Sequence, residues 1–176
     1  MTNLPNAPAR GDAQSATDAL AAASLLCRER GAQFTEVRRR LLEALWQAGQ
    51  PLGAYDLMPL LEAALARKVT PPTVYRTLEF LMDQRLVSRI ESRNAFVPCA
   101  HPEHAHACVF FVCDRCSASI EVESPGIEHL LADHAAALEF QVHRRVVELQ
   151  GLCARCLAPD LVTEPERRAG WKPNAR

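Results

Sequence analysis

Apolar residues recur at intervals of three and four positions through the first part of the chain, and this period predicts four helices. The first is expected at residues 17–30. The second follows Thr35 and ends near Gly49, and the third spans about residues 54–66. The fourth follows Thr70, because the prolines at 71 and 72 fit the first turn of a helix, where an N–H group has no partner to lose.

From Val87 the apolar period shortens to two. This pattern predicts a strand to Glu91, a polar turn at residues 92–94 and a return strand through Phe96 and Val97. Helices followed by one hairpin are the order of a winged helix-turn-helix domain, which we assign to residues 15–98. Residues 1–14 lack apolar periodicity and are expected to form a disordered tail.

A second, smaller unit is predicted over residues 99–157. Strands are expected at residues 108–112, 120–122 and 140–149, with a helix from Ser124 to about Ala135. The fold class is therefore α+β, an N-terminal winged helix-turn-helix domain followed by a small α/β domain, with a flexible tail at residues 158–176. A unit of this size buries little apolar surface, so we expect a metal ion or a partner subunit to stabilise it.

The whole chain has a net charge of −1, and its charges are unevenly divided. Residues 28–93 carry eleven Lys or Arg against eight Asp or Glu, whereas residues 94–160 carry four against nine. The first half is therefore the one suited to phosphate contacts. The sequence has neither an apolar run of about 18 residues nor a secretory signal pattern, which predicts a cytoplasmic protein with no membrane segment.

The seven cysteines include two CxxC pairs, Cys113 with Cys116 and Cys153 with Cys156. Each pair can present two thiolates from one tight turn, and together they complete a closed tetrahedral zinc shell. Such a shell has no open position, so it stabilises a fold and performs no chemistry. Redox-active CxxC motifs and free buried cysteines are the alternatives, and the odd cysteine count disfavours a disulfide framework.

A second group of potential metal ligands lies at the junction of the two predicted domains. It comprises Cys99, His101, His104, His106, Cys108 and Glu121. His104 and His106 are two positions apart, so on an extended backbone both imidazoles point to the same side and reach one ion. Solvated surface histidines are the alternative. An ion bound here would fix the orientation of one domain against the other.

A zinc deaminase is the enzymatic alternative, because His101-Pro102-Glu103 followed by the first CxxC pair loosely matches an HxE…PCxxC pattern. Val112 stands where that pattern has proline, only nine residues separate its two parts, and the second CxxC pair has no task in it. We therefore expect no enzymatic activity.

Four segments within residues 15–157 carry a family resemblance. They are TPPTVYRTLEFL at 70–81, VSRIES…AFVPC at 87–99, FVCDRC at 111–116 and GLCARC at 151–156. The chain resembles the ferric uptake regulator family, and within it the zinc uptake regulator branch. The resemblance implies a homodimeric, zinc-responsive repressor that binds palindromic, AT-rich double-stranded operator DNA when zinc is replete and silences zinc-uptake genes. Iron-sensing and peroxide-sensing members of the family are the alternative.

The resemblance also assigns roles to residues. Both CxxC pairs belong to the structural zinc. The regulatory zinc site is matched by Cys99, His106 and Glu121. The thiolate at position 99 suits Zn²⁺, whereas iron and manganese sensors favour N/O ligands. DNA-contacting positions are matched by Tyr55, Tyr75 and Arg76.

Two departures from the family pattern affect these sites. Ser88 stands where zinc-sensing relatives often have a histidine, and a serine hydroxyl is a poor zinc ligand. We therefore predict His104 as the fourth regulatory ligand, with His101 as second choice. Thr70 stands where some relatives carry a lysine. In the wing turn, Arg93 is predicted to reach phosphate or the minor groove.

Overall fold

The structure is a computed structural model that describes residues 13–103, 108–143 and 145–157. Residues 1–12 of the predicted N-terminal tail, the predicted C-terminal tail at 158–176, and the predicted ligands His104 and His106 lie outside the described residues.

Four helices open the described chain, as the apolar period predicts. They are α1 (Ala13–Glu29), α2 (Glu36–Ala48), α3 (Ala54–Leu65) and α4 (Pro71–Asp83). Helix α1 begins four residues before its predicted start, so it includes the last two residues of the predicted tail. One of these is Ala13, and alanine has the highest helix propensity of all residue types. Gly49 ends α2 in the left-handed conformation, with φ of 57°.

The apolar faces of these helices form the main core. Fully buried leucines from α2, α3 and α4 meet at its centre, and α1 covers them with Ala23 and Cys27. The central leucines are Leu41, Leu45, Leu57, Leu61, Leu78 and Leu81. This core sets the angle between α3 and α4 and leaves the opposite face of α4 free for other contacts.

The wing is an antiparallel hairpin of β2 (Val87–Ile90) and β3 (Ala95–Pro98), joined by a 3-10 turn at Glu91–Arg93. Asn94 closes the turn with φ of 46°. A third strand, β1 (Leu52–Gly53), pairs with the other edge of β3. It was not predicted, because two residues are too few for an alternating pattern to be recognised.

The second sheet has the order β5-β4-β6, built from β4 (Cys108–Cys113), β5 (Ser119–Glu123) and β6 (Val147–Gly151). Strand β5 is antiparallel to β4, and β6 is parallel to it. Helix α5 (Pro125–Ala137) connects β5 to β6, and α6 (Ala154–Leu157) follows β6. The predicted strand at 140–149 is wrong before Val147, because β4 pairs with β6 only along residues 109–113 and offers the earlier residues no partner.

The wing packs against the second sheet through a small separate core. Ile90 and Val97 of the wing and Phe110 and Val112 of β4 form one buried cluster. The described residues thus have the predicted α+β architecture, with the wing at the junction of its two units. Among these residues, no helix combines the length and the hydropathy needed to cross a bilayer.

Candidate metal centres and DNA-binding surface

The two CxxC pairs meet at one end of the second sheet. Cys113 is the last residue of β4 and Cys116 follows it in a turn, whereas Cys153 and Cys156 come shortly after β6. Because β4 and β6 are parallel neighbours, their carboxyl ends lie side by side and bring the two pairs together. All four Sγ atoms lie within 4.8 Å of one another.

The spacing of these thiols fits a tetrahedral zinc shell. Sγ of Cys116 lies 3.7 Å from Sγ of Cys153. Four thiolates at ~2.3 Å from one ion are about 3.8 Å apart, so this pair already has the separation that zinc requires. The turn is closed by Ser117, which has φ of 57° and donates its N–H to the carbonyl oxygen of Cys113 at 2.9 Å.

The thiols of this cluster differ in acidity. The backbone N–H of Cys153, and after it that of Cys116, lowers the pKa of Cys113 to about 6. Burial, and after it the neighbouring thiols, raises the pKa of Cys156 to about 12. The thiol of Cys113 therefore ionises more readily than that of Cys156, and the charge of a bound Zn²⁺ would ionise the thiols that are still protonated.

Two of the four predicted regulatory ligands lie next to each other. Cys99 follows β3 at the end of the wing, where it is buried, and Glu121 lies on β5. Oε1 of Glu121 is 3.7 Å from Sγ of Cys99, and Oε2 accepts a hydrogen bond from the N–H of Ala100 at 3.4 Å. A thiol at the end of the wing and a carboxylate of the second sheet thus converge on one point.

The other candidates for this site are placed differently. His104 and His106 lie outside the described residues, so their assignment stays a prediction. His101 is exposed, and its Nδ1 lies 3.6 Å from Oε1 of Glu103. Ser88 is half-buried and lies opposite Val97 in the wing ladder.

Helix α4 has one buried and one exposed face. Val74, Leu78 and Leu81 are fully buried, whereas Tyr75 and Arg76 are exposed near the start of the helix. Tyr55 in the first turn of α3 is 71% exposed. The three predicted DNA-contacting residues of the helices are therefore accessible to a ligand.

Arg93, the predicted DNA contact of the wing, has a partner in the second unit. Its Nη2 donates to Oδ1 of Asp114 at 2.9 Å and to the carbonyl oxygen of Cys113 at 3.5 Å. Both contacts use one nitrogen of the guanidinium, and its other donors have no partner within the described ranges. The side chain is one-third exposed, so it lies at the surface beside the cysteine cluster.

Two residues that sequence reasoning missed also connect distant parts of the chain. Glu148 on β6 accepts hydrogen bonds from the N–H groups of the wing turn. Arg30, just after α1, donates to the carbonyl oxygen of Gln84 at the end of α4 and to that of Pro102 at 2.8 Å. Each contact joins residues more than fifty positions apart, so no local pattern signals it.

Comparison with known proteins agrees with this architecture. The chain matches the ferric uptake regulator family over residues 29–150. It is 36% identical to the zinc uptake regulation protein of Escherichia coli (strain K12) over 149 residues, which are 84% of this chain and 86% of that protein. It is 29% identical to the ferric uptake regulation protein of Campylobacter jejuni over 135 residues, which are 74% of this chain and 83% of that protein.

Two solved structures resemble the fold closely. A zinc uptake regulator complexed with zinc and DNA has a TM-score of 0.79 at 35% identity, covering 82% of this chain and 97% of that one. Holo XcZur has a TM-score of 0.73 at 40% identity, covering 79% and 96%. The predicted fold class and family resemblance are thereby confirmed. Because the family match spans more than half of the sequence and the Escherichia coli relative exceeds 30% identity over most of it, the chain belongs to the ferric uptake regulator family.

Proposed function

We propose that this chain is a zinc-responsive transcriptional repressor that binds operator DNA when zinc is replete and silences zinc-uptake genes. The contact between Cys99 and Glu121 carries the proposal. It places a soft thiol, which suits Zn²⁺, at the point where the DNA-binding wing meets the second unit. Relatives named for zinc uptake support the same metal.

Two classes of zinc site follow from this proposal. The cysteine cluster holds one structural ion per subunit, supported by the fit of its Sγ spacing. At least one regulatory ion per subunit is bound by Cys99 and Glu121 together with His104 and His106. Filling the regulatory site fixes the wing and the second sheet in one relative orientation, whereas an empty site releases it.

The DNA-binding surface consists of α4, the start of α3 and the wing. Tyr75 and Arg76 enter the major groove, Tyr55 contacts the duplex from α3, and Arg93 reaches phosphate or the minor groove. The exposure of the first three residues supports this assignment. A twofold-symmetric protein reads a palindrome, and we propose that the operator is palindromic and AT-rich.

The second unit, residues 99–157, is proposed as the dimerisation domain of a homodimer, and residues 15–98 as the DNA-binding domain. Support comes from exposed apolar side chains on the second unit, which include Leu130 of α5 and Phe140 after it. None of the residues of α5 is buried within the subunit, and an exposed apolar surface of this kind marks an interface. A partner subunit compensates for the small core of this unit. We place the dimer in the cytoplasm.

An iron- or peroxide-sensing role is the alternative within the family. The buried thiol of Cys99 beside Glu121 favours zinc, because those sensors use N/O ligands. The family consists of transcription regulators and not of enzymes, so the zinc deaminase alternative is excluded.

One experiment tests the function directly. The purified protein is analysed for bound metal and for mass by sedimentation, and its binding to a labelled operator is followed by fluorescence anisotropy across buffered free zinc, iron and manganese. We expect a dimer with at least two zinc ions per subunit and operator binding that rises with zinc alone. Binding that follows iron instead, or that is independent of metal, contradicts the proposal.

A further inference from the structure

The first N–H groups of the wing turn are bound by a carboxylate from the second unit. The turn at Glu91–Arg93 has no side-chain cap from its own N-cap residue, Ile90. Instead, Oε1 of Glu148 accepts the N–H of Glu91 at 2.6 Å, and Oε2 accepts the N–H of Ser92 at 3.1 Å. The two oxygens of one side chain thus cap a turn that lies 57 and 56 positions earlier in the sequence.

Charge strengthens this cap. Burial acts to raise the pKa of Glu148, but hydrogen bonds from the hydroxyl of Ser92 and from the N–H groups of Glu91 and Ser92 outweigh it, and the pKa is lowered. The carboxylate is therefore ionised when it binds the wing. Hydrogen bonds from N–H groups to an ionised acceptor are stronger than those between neutral groups.

Two further contacts join the same surfaces. The guanidinium of Arg93 pairs with Asp114, which lies between the first two cysteines of the zinc cluster. The apolar cluster of Ile90 and Val97 with Phe110 and Val112 lies beneath the hairpin. We call the hydrogen bonds of Glu148 and the Arg93–Asp114 pair together the wing contact. The ion pair is partly exposed and contributes little by itself, so Glu148 is the main polar component.

The wing contact occurs in a domain arrangement that resembles a DNA-bound one. The superposition on the zinc uptake regulator complexed with zinc and DNA covers 82% of this chain at a TM-score of 0.79, which is a larger share than either unit alone could provide. A contact that stabilises this arrangement in the free chain lowers the cost of orienting the wing when DNA binds.

We propose that Glu148 is a positioning residue for DNA recognition, because its carboxylate holds the wing turn at the angle at which wing and α4 meet the operator together. The proposal rests on the DNA-binding function proposed above. Glu148 itself lies on β6 and acts through the wing, so its loss should affect operator binding without affecting zinc content or dimerisation.

The test compares full-length Glu148→Gln with two controls. Glutamine keeps the shape of the side chain but turns an NH₂ group toward one of the two N–H donors. Gln150→Ala changes an exposed residue two positions along the same strand, and Glu139→Gln removes an exposed carboxylate elsewhere in the second unit. The probe is a duplex that the wild-type protein selects from a random pool in zinc.

In saturating zinc we expect Glu148→Gln to bind this duplex about 10-fold more weakly, as one of the two hydrogen bonds is lost and the other is no longer charge-assisted. Amide hydrogen exchange in the wing turn should become faster, while the zinc content in saturating zinc and the dimer mass stay at the wild-type values. Both controls should behave as wild type. Asp114→Asn, which removes only the ion pair, should lose up to about threefold in affinity. Glu148→Asp keeps the charge but shortens the side chain, so it should also weaken the cap and bind the duplex less tightly, and it keeps the proposal testable if Glu148→Gln fails to fold.

Wild-type affinity of Glu148→Gln alongside faster wing exchange would overturn the positioning role, and unchanged wing exchange would overturn the wing contact itself. If Glu148→Gln fails to fold, Glu148→Asp decides the question, and wild-type affinity of that variant overturns the proposal. A wild-type protein that selects no duplex in zinc contradicts the proposed function, which separates that failure from a failure confined to Glu148.

Discussion

Sγ of Cys99 and Oε1 of Glu121 lie 3.7 Å apart, although Cys99 directly follows the wing and Glu121 lies in the middle of β5. The separation is close to that of two ligands on one tetrahedral zinc ion. A metal bound between them would therefore link the DNA-binding hairpin to the second sheet with little movement of either residue. The contact places the proposed regulatory site between the end of the wing and β5, and Glu121 is the ligand to test first.

Glu121→Gln should weaken the regulatory zinc by about 10-fold or more, because a neutral amide oxygen replaces an anionic ligand. The midpoint of operator binding against free zinc should shift by the same factor, since the two equilibria are linked. Zinc titration with anisotropy on a labelled operator measures both. Asp133→Asn, an exposed carboxylate on α5, is the control, and equal midpoints for the two variants would remove Glu121 from the site.

His104→Ala should also weaken the regulatory zinc by about 10-fold or more and leave the cysteine cluster filled. Zinc-sensing relatives often have a histidine ligand at the position of Ser88, and His104 is predicted to replace that ligand here. It would bind the same ion as His106. The matched control is His101→Ala. An unshifted midpoint for His104→Ala together with a shifted one for His101→Ala would transfer the role to His101.

Cys113→Ser should release the structural zinc, abolish the dimer and lower the melting temperature, because zinc-thiolate bonding supplies folding free energy that the small second core cannot replace. Zinc analysis, sedimentation and calorimetry follow the three effects. Cys27→Ala is the control, since it removes a buried thiol from the helical core and should leave zinc content unchanged. A dimeric Cys113→Ser protein with the wild-type melting temperature would refute the structural role.

Arg76→Ala should lose sequence discrimination, whereas Arg93→Ala should lose mainly general affinity. Arg76 is exposed near the start of α4, where a guanidinium can pair with a guanine edge for ~1–3 kcal/mol of discrimination. Arg93 lies on the wing turn, with donors left over from its contact with Asp114. Binding to operator and to random duplex gives both ratios, and an unchanged ratio for Arg76→Ala contradicts its role.

Arg30→Ala should raise the free zinc needed for operator binding by about fivefold, because its guanidinium joins the end of α4 to the segment that follows Cys99. Removing this link should leave the cysteine cluster and the dimer intact. Arg28→Ala, an exposed arginine two positions earlier on α1, is the matched control. The same zinc midpoint in both variants would show that the link carries no coupling.

Most of the helical unit could be predicted from the sequence, since its information is local. The period of three and four residues locates α2, α3 and α4, and the proline pair and Gly49 mark where helices begin or end. The cysteine cluster could be predicted in the same way, because the spacing of the CxxC pairs is visible in the sequence itself.

Contacts between the units could not be predicted, because they depend on how distant segments meet. Nothing near Glu148 indicates that it caps a turn 57 positions earlier, and nothing near Arg93 indicates Asp114 as its partner. The start of the predicted strand at 140–149 was wrong for the same reason, since the length of β6 is decided by the register of its neighbour β4. The sequence offers Cys99 and Glu121 as potential ligands by residue type, but only the fold brings them together.

The parallel pairing of β4 with β6 also bears on how the protein is made on the ribosome. The buried residues of the helical core all lie between Leu20 and Phe96, so this core can form as soon as that part of the chain is synthesised. One edge of β4 then stays unpaired until Val147–Gly151 has been synthesised. Over the same interval Cys113 and Cys116 provide only two of the four ligands of the proposed zinc site. The other two ligands of the proposed site, Cys153 and Cys156, are synthesised last. If the cluster binds zinc as proposed, the complete site forms only after Cys156 has been synthesised, and chains made in zinc shortage are the ones we expect to be degraded before they become repressors.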